Sequence, residues 1–248
     1  MFMEVQTPAG EGETMTFWVG TSGFSYKEWK GSFYPEDLPN DQMLSYYSER
    51  LNAVEINNTF YRMPSRKVLT DWSGKVPDAF SFMLKASRKI THHKRLKEAE
   101  DELGYLLDVS EELGGRRGPI LFQLPPYLKK DVERLRDFVA LFPQGFRAAF
   151  EFRNSSWFDD AVYQVLVDAG VALVVADTGK DDDPPVVATA SYGYARLRKE
   201  AYGPGELTRW AGIFKDQGWD DVFVFFKHED EGAGPVLADL FVKEVESS

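Results

Sequence analysis

Short apolar runs of strand length alternate along this chain with stretches in which apolar residues recur every three or four positions. The runs cover 17–21, 53–57, 80–85, 119–124, 148–152, 171–176, 193–197 and 222–226. Between them, Met43, Leu44, Tyr47 and Leu51 share one face of a helix predicted over 41–51, with Asn40 as its N-cap. A short helix is predicted at 65–75. A long one follows at 96–113, where the stripe of Leu96, Ala99, Leu103, Leu106, Leu107 and Leu113 ends at Gly114 and Gly115. Further helices are predicted at 129–142, from a Ser155 or Ser156 cap to Gly170, at 205–217, and from Pro235 onward. The connection 177–191, with Asp181, Asp182, Asp183, Pro184 and Pro185, is the weakest helix candidate.

Strands that alternate with helices imply a parallel sheet. Eight such units in about 230 residues imply closure, so the fold class is α/β: a single (β/α)8 TIM barrel, parallel and eight-stranded, with a poorly helical connection between strands 6 and 7. The competing fold, an open doubly wound sheet, usually carries a glycine-rich phosphate turn after its first strand; the stretch from Gly20 to Gly23 is too short for that fingerprint. Residues 1–15 read as a disordered tail, with Met15 an alternative start, and 16–248 as one barrel domain.

In a barrel one set of side chains faces the helices and the other faces the axis. Active sites form where the axis-facing set reaches the C-terminal strand ends. Alternation places Glu55 and Asn57 inward on strand 2, Lys85 on strand 3, Gln123 on strand 4, and Glu151 and Arg153 on strand 5. It places Asp177 inward after Leu173 and Val175 on strand 6, then Tyr194, Arg196 and Arg198 on strand 7, and Lys227 after Phe223 and Phe225 on strand 8. Seven consecutive strands thus bring a polar group to one end. Isolated buried charge is costly, so chance is a poor account of the set, although an internal ion-pair network would also satisfy it.

Lys85, Arg153, Arg196, Arg198 and Lys227 outnumber Glu55, Glu151 and Asp177, which makes the expected pocket cationic and its ligand a small anion bearing phosphate or carboxylate, or a sugar-like molecule. Gly203 and Gly205, and Gly232 and Gly234, stand before helices and offer amides to an anion, with the acidic run 229–231 weighing against the second pair. Tyr26 and Trp29, with Phe24, Phe33 and Tyr34, form either a lid over a ring or a small satellite core; Phe60 and Tyr61 follow strand 2 in the same way. His92, beside His93, is a candidate general acid or base. Trp157 completes the ligand-binding candidates.

Composition narrows the chemistry. The net charge of −11 argues against a general nucleic-acid binder, because such proteins neutralise phosphates. With no cysteine, thiolate zinc sites, disulfides and cysteine nucleophiles are excluded, and three histidines do not make a histidine-rich metal cluster. No run reaches the 18 to 20 apolar residues of a membrane span, and the N-terminal stretch lacks the layout of a secretory signal. The expectation is a cytoplasmic monomer or homodimer without a cofactor, Mg²⁺ or Mn²⁺ being the metal alternative.

The leading functional reading is an enzyme in which Glu55 and Glu151 act as acid and base, assisted by Lys85 and His92, while Lys85, Arg153 and Arg196 hold the anion. Hydrolase, lyase and isomerase chemistry stay open. One alternative is a glycoside hydrolase using the carboxylate pair, against which a direct salt bridge from each carboxylate to a buried arginine would count. The others are a divalent-metal phosphoesterase or nuclease using Glu55, Glu151, Asp177 and a histidine, and a non-catalytic barrel that binds nucleotide or RNA.

The segments VGTSGFSYKEWKGSFYP (19–35), VEINNTFYRMPS (54–65), FSFMLKASRKITHHKRL (80–96), GPILFQLPP (118–126) and FEFRNSSW (150–157) resemble, in this order, those of domain of unknown function 72, the DUF72 family. The resemblance runs from about residue 18 to the C-terminus and implies a (β/α)8 barrel; it implies no established activity. In that family strand 7 leads into an Arg-x-His-Gly-like segment and strand 8 ends in paired asparagines. Here Arg196, Leu197, Arg198 and Lys199, and Phe226, Lys227 and His228, stand in those places.

Overall fold

The computed structural model describes residues 15–180, 183–227 and 232–247. Eight parallel strands run β1 (Thr16–Ser22), β2 (Ala53–Ile56), β3 (Ser81–Leu84), β4 (Ile120–Gln123), β5 (Ala148–Glu151), β6 (Ala172–Asp177), β7 (Tyr192–Leu197) and β8 (Asp221–Phe226). Their order is β3-β2-β1-β8-β7-β6-β5-β4, and β8 pairs with β1 along six residues from Thr16–Asp221 to Thr21–Phe226. Between β3 and β4 the seam is closed by isolated parallel bridges, Phe82 with Arg117 and Lys85 with Leu121. There the amides of Gly118 and Ala86 donate to the carbonyls of Phe82 and Leu121. The barrel is therefore nearly closed, and all eight strands coincide with the apolar runs of the sequence.

Among the described residues seven helices cover it: α1 (Met43–Ser48), α2 (Arg66–Ser73), α3 (Glu100–Ser110), α4 (Val132–Val139), α5 (Asp160–Ala169), α6 (Pro204–Lys215) and α7 (Ala233–Ser247). Among the described residues no helix joins β6 to β7, as the composition of that connection implies. Helix α3 starts later than its apolar stripe suggests. A π turn at Lys89–His93 and left-handed backbone at Arg95, Leu96 and Glu98 precede it, so Leu96 reaches the core from a loop. Helix α5 is capped by Asp159, whose carboxylate accepts from the Ala161 amide, while the serines expected to cap it sit in a one-turn 3-10 segment capped by Asn154. Gly170 closes α5 in the left-handed conformation (φ 63°). Met15, expected in the tail, is buried in the outer core instead. The rest of that tail, His228 and the 229–231 run lie outside the described residues.

Two apolar clusters fill the layer between strands and helices, and a third fills the barrel. The interior is lopsided. Ala53, Ala149, Ala172 and Val174 on one side leave room for Trp18, Tyr192, Tyr194, Phe223 and Phe225 on the other. Packing small against large side chains fills the axis to native density, and a barrel of this size has a solid core rather than a pore. At Gly20 a side chain would run into the Ala53 carbonyl, so glycine permits the close approach of β1 to β2. The N-terminal end of the barrel is sealed by Arg147, which pairs with Asp221 at 2.6 Å and lies over the Tyr192 ring. Polar side chains of the axis-facing set remain at the other end.

Candidate active site

Inward alternation on β1, β2, β4, β5 and β7 brings Ser22, Glu55, Gln123, Glu151, Tyr194 and Arg196 together at the C-terminal mouth, all buried. Arg196 is the centre. Its Nη2 donates to Glu55 Oε1 at 2.8 Å and its Nη1 to Glu151 Oε2 at 2.5 Å. Glu55 also accepts from Ser22 Oγ (2.8 Å), Asn57 Nδ2 (3.0 Å) and Tyr194 Oη (2.7 Å). Glu151 accepts from Gln123 Nε2 and from Arg198 Nη2, each at 2.8 Å. Buried carboxylates are tolerable only when surrounded by donors in this way. Burial alone would raise both carboxyls. Arg196, with the hydrogen bonds from Tyr194 and Ser22, holds Glu55 below the usual range, and Arg196 and Arg198 hold Glu151 at about 2.

Lys85 stands differently. It follows β3, half-buried, and its Nζ donates to the neutral Oε1 of Gln123 at 2.9 Å while lying 4.5 Å from the centre of the Phe60 ring. Both carboxylates lie close enough to act on it electrostatically, but neither forms an ion pair with it. Burial, then the adjacent Arg196, lower it to about 8, against the opposing pull of Glu55 and Glu151. His92 packs edge-on against the same Phe60 ring, with centroids 4.9 Å apart, and its Nδ1 meets Thr91 Oγ1 at 2.9 Å. Burial, then Lys85 and Arg153, push it below its ordinary 6.5. Arg153 and Lys227 are exposed at the rim. The Nε donors of both Arg196 and Arg198 are buried without a partner.

Of the residues expected in the pocket, Glu55, Asn57, Lys85, His92, Gln123, Glu151 and Arg196 meet there, with Arg153 and Lys227 at the rim. Asp177 does not belong. On β6 the axis-facing residues are Ala172 and Val174, so Asp177 points toward the helices. Its Oδ2 accepts from Trp210 Nε1 of α6 and its Oδ1 from the Gly179 amide, each at 3.0 Å. The run 172–176 is apolar throughout, so alternation carried no phase there. Trp157 is also a core residue: it stacks on Phe152 at 4.7 Å and donates to the Leu128 carbonyl. Trp29 is buried in the satellite core of loop 1, against Tyr26, Phe33 and Tyr34. Tyr26 anchors that loop by donating to the Ser22 carbonyl (2.7 Å), and with Asn57 it lines a neighbouring cavity of about 400 Å³. Tyr61 is exposed on the outer side of Phe60.

Ser22 is the residue that sequence reasoning missed, and alternation places Tyr194 inward without assigning it a role. The same alternation that locates Glu55 also marks Ser22, two residues past Gly20. The Gly203 amide, offered as an anion site, is already bonded to Glu206 Oε2 at 3.0 Å. The carboxylate set considered for a divalent metal does not assemble either. Asp177 faces α6, Glu55 and Glu151 are bound to arginine, and among the described residues no group of three or more His, Asp or Glu is arranged to hold an ion. No described helix is long and apolar enough to cross a membrane.

Fold and site together define a (β/α)8-barrel protein with a buried carboxylate–arginine cluster beneath a mouth that carries Lys85, Arg153 and Arg198. The chain belongs to the DUF72 family, described as proteins of unknown function, whose profile matches residues 18–248. It is 26% identical over 156 residues to UPF0759 protein YunF of Bacillus subtilis (strain 168), covering 59% of this chain and 54% of that one. It is 27% identical over 141 residues to UPF0759 protein YecE of Escherichia coli (strain K12), covering 54% and 52%. The matched part thus spans about half the length of these curated relatives. A DUF72 family crystal structure from Thermotoga maritima MSB8 superposes with a TM-score of 0.79 at 27% identity, over 94% of this chain and 99% of that one. A DUF72 protein of Enterococcus faecalis V583 gives 0.77 at 18% identity, over 94% and 96%, a likeness of fold.

Proposed function

We propose that this protein is an enzyme acting on a small anionic substrate at the barrel mouth, with Lys85 as its proton-transfer group. The observation that carries this reading is the contrast between the two kinds of titratable group in the site. Glu55 and Glu151 are bound to arginine and stay ionised across the neutral range, which suits them to hold Arg196 in place and unsuits them as acids. Lys85 is bonded only to a neutral amide, with a pKa of about 8. Proton transfer is most effective when the group's pKa lies near the working pH. Arg198, whose side chain is 18% exposed, and Arg153, exposed at the rim, supply the charge for a phosphate or carboxylate. With Asp177 outside, the mouth is more cationic than the strand pattern implied.

The same arginine bridges weigh against glycoside hydrolysis by the carboxylate pair, since an acid in that reaction needs a raised pKa. The test is a thermal-shift titration with inorganic phosphate and a panel of oxo and phosphorylated metabolites. A ligand at 100 times its Kd should stabilise by about 2.7 kcal/mol, or roughly 5–10 °C for a chain of this size. The shift should fall away in Arg153→Ala and Arg198→Ala. No shift with any anion would overturn the reading.

A further inference from the structure

We propose that Lys85 is a nucleophile that forms an imine with the carbonyl group of a small oxo acid or phosphorylated aldehyde or ketone held at the barrel mouth. This rests on the anionic-substrate reading above, adds to it a substrate class and a covalent step, and makes Lys85 the nucleophile of that step, with the proton-transfer role passing to His92.

The geometry points there in three ways. Lys85 lies at a C-terminal strand end in phase with Met83, which faces the barrel interior, so its amine is directed at the mouth. Its Nζ spends one donor on Gln123 Oε1 and none on a carboxylate, because the site's two carboxylates are committed to Arg196 and Arg198. An ion-paired ammonium is held protonated and is a poor nucleophile; a half-buried amine beside a second cation gives up its proton more easily. Finally, Arg198, whose side chain is 18% exposed, and Arg153, exposed at the rim, supply charge for the anionic end of such a substrate. With Lys85 at about 8, its free amine near neutral pH is roughly 200- to 300-fold more abundant than that of an ordinary lysine.

The step balances without an oxidant or a reductant. The neutral Nζ donates its electron pair to the carbonyl carbon, forming the C–N bond, and the C=O π pair moves to oxygen, which takes up a proton. Nitrogen loses a proton, the carbinolamine oxygen takes a second proton and leaves as water, and the nitrogen pair forms C=N. Overall an ammonium and a carbonyl give a protonated imine and one water. His92, which packs against the same Phe60 ring, is the titratable group that would give and take these protons.

The experiment uses the intact chain with glyoxylate in one arm and glycolaldehyde phosphate in the other. Each is reduced with borohydride and mapped by peptide mass spectrometry, with phosphate affinity measured in parallel by calorimetry. The expected result is one adduct per chain at Lys85, suppressed by inorganic phosphate and increasing as pH rises through about 8. Trapping of glyoxylate alone assigns an oxo acid, and trapping of the phosphate ester alone assigns a phosphorylated carbonyl. Lys85→Arg should lose the adduct and keep phosphate binding; the wild-type map stands without that variant. Adducts spread over exposed lysines such as Lys67, with Lys85 no more reactive than they are, overturn the imine while measured phosphate binding leaves the anion site standing. Absence of both adduct and phosphate binding overturns both.

Discussion

Arg196 Nη2 donates to Glu55 Oε1 at 2.8 Å, with the arginine 2% exposed and the glutamate fully buried. Removing one member of such a pair leaves an uncompensated buried charge, which costs about 3–5 kcal/mol. Arg196→Met should therefore lower the urea unfolding midpoint strongly. Glu55 should suffer more than Glu151, which retains Arg198. A midpoint unchanged in Arg196→Met would show that the cluster does not hold the barrel mouth together.

Acid should unfold the protein through the same cluster. Glu151 has its folded-state pKa depressed to about 2 from an ordinary 4.5. The unfolded chain thus binds more protons in that window, and stability present above pH 4.5 is lost as pH falls toward 2. Glu55 shifts in the same direction. Urea midpoints measured between pH 6 and 2.5 should fall steeply, and Glu151→Gln should flatten the profile.

Lys85 gives the opposite limb. Its folded-state pKa of about 8 lies below the ordinary 10.5, so between these values the unfolded chain holds the extra proton and stability rises with pH. Lys85→Met should remove that rise and gain most in relative stability below pH 8, as read from thermal melts across pH 7 to 10.5.

Arg198 and Asp177 separate binding from packing. Losing Arg198, which reaches the mouth, should weaken phosphate about 10- to 100-fold, the worth of one charge-assisted hydrogen bond. Asp177→Ala should instead cost about 1–3 kcal/mol of stability by stranding the Trp210 indole N–H, with phosphate affinity unchanged. A matching loss of affinity in Asp177→Ala would return that residue to the site.

Residue spacing alone determined the eight strands, the poorly helical connection between β6 and β7, and most of the axis-facing polar set, because strand alternation is a local property. Glu55, Lys85, Gln123, Glu151 and Arg196 were legible for that reason. So was Ser22, had the rule been carried to β1. Where a strand is apolar on both faces, as in Ala172–Ala176, the alternation has no visible phase, and only the packed barrel could turn Asp177 toward Trp210. Aromatic residues are likewise ambiguous in sequence, since a ring suits a lid and a core equally; burial in the folded chain placed Trp29 and Trp157 in cores. The pairing of charges was also a tertiary decision. Arg196 lies 141 positions from Glu55 and 45 from Glu151, and that arrangement ties up the carboxylates and leaves Lys85 beside a neutral amide. Protonation depends on such distances between strands, which no local pattern encodes.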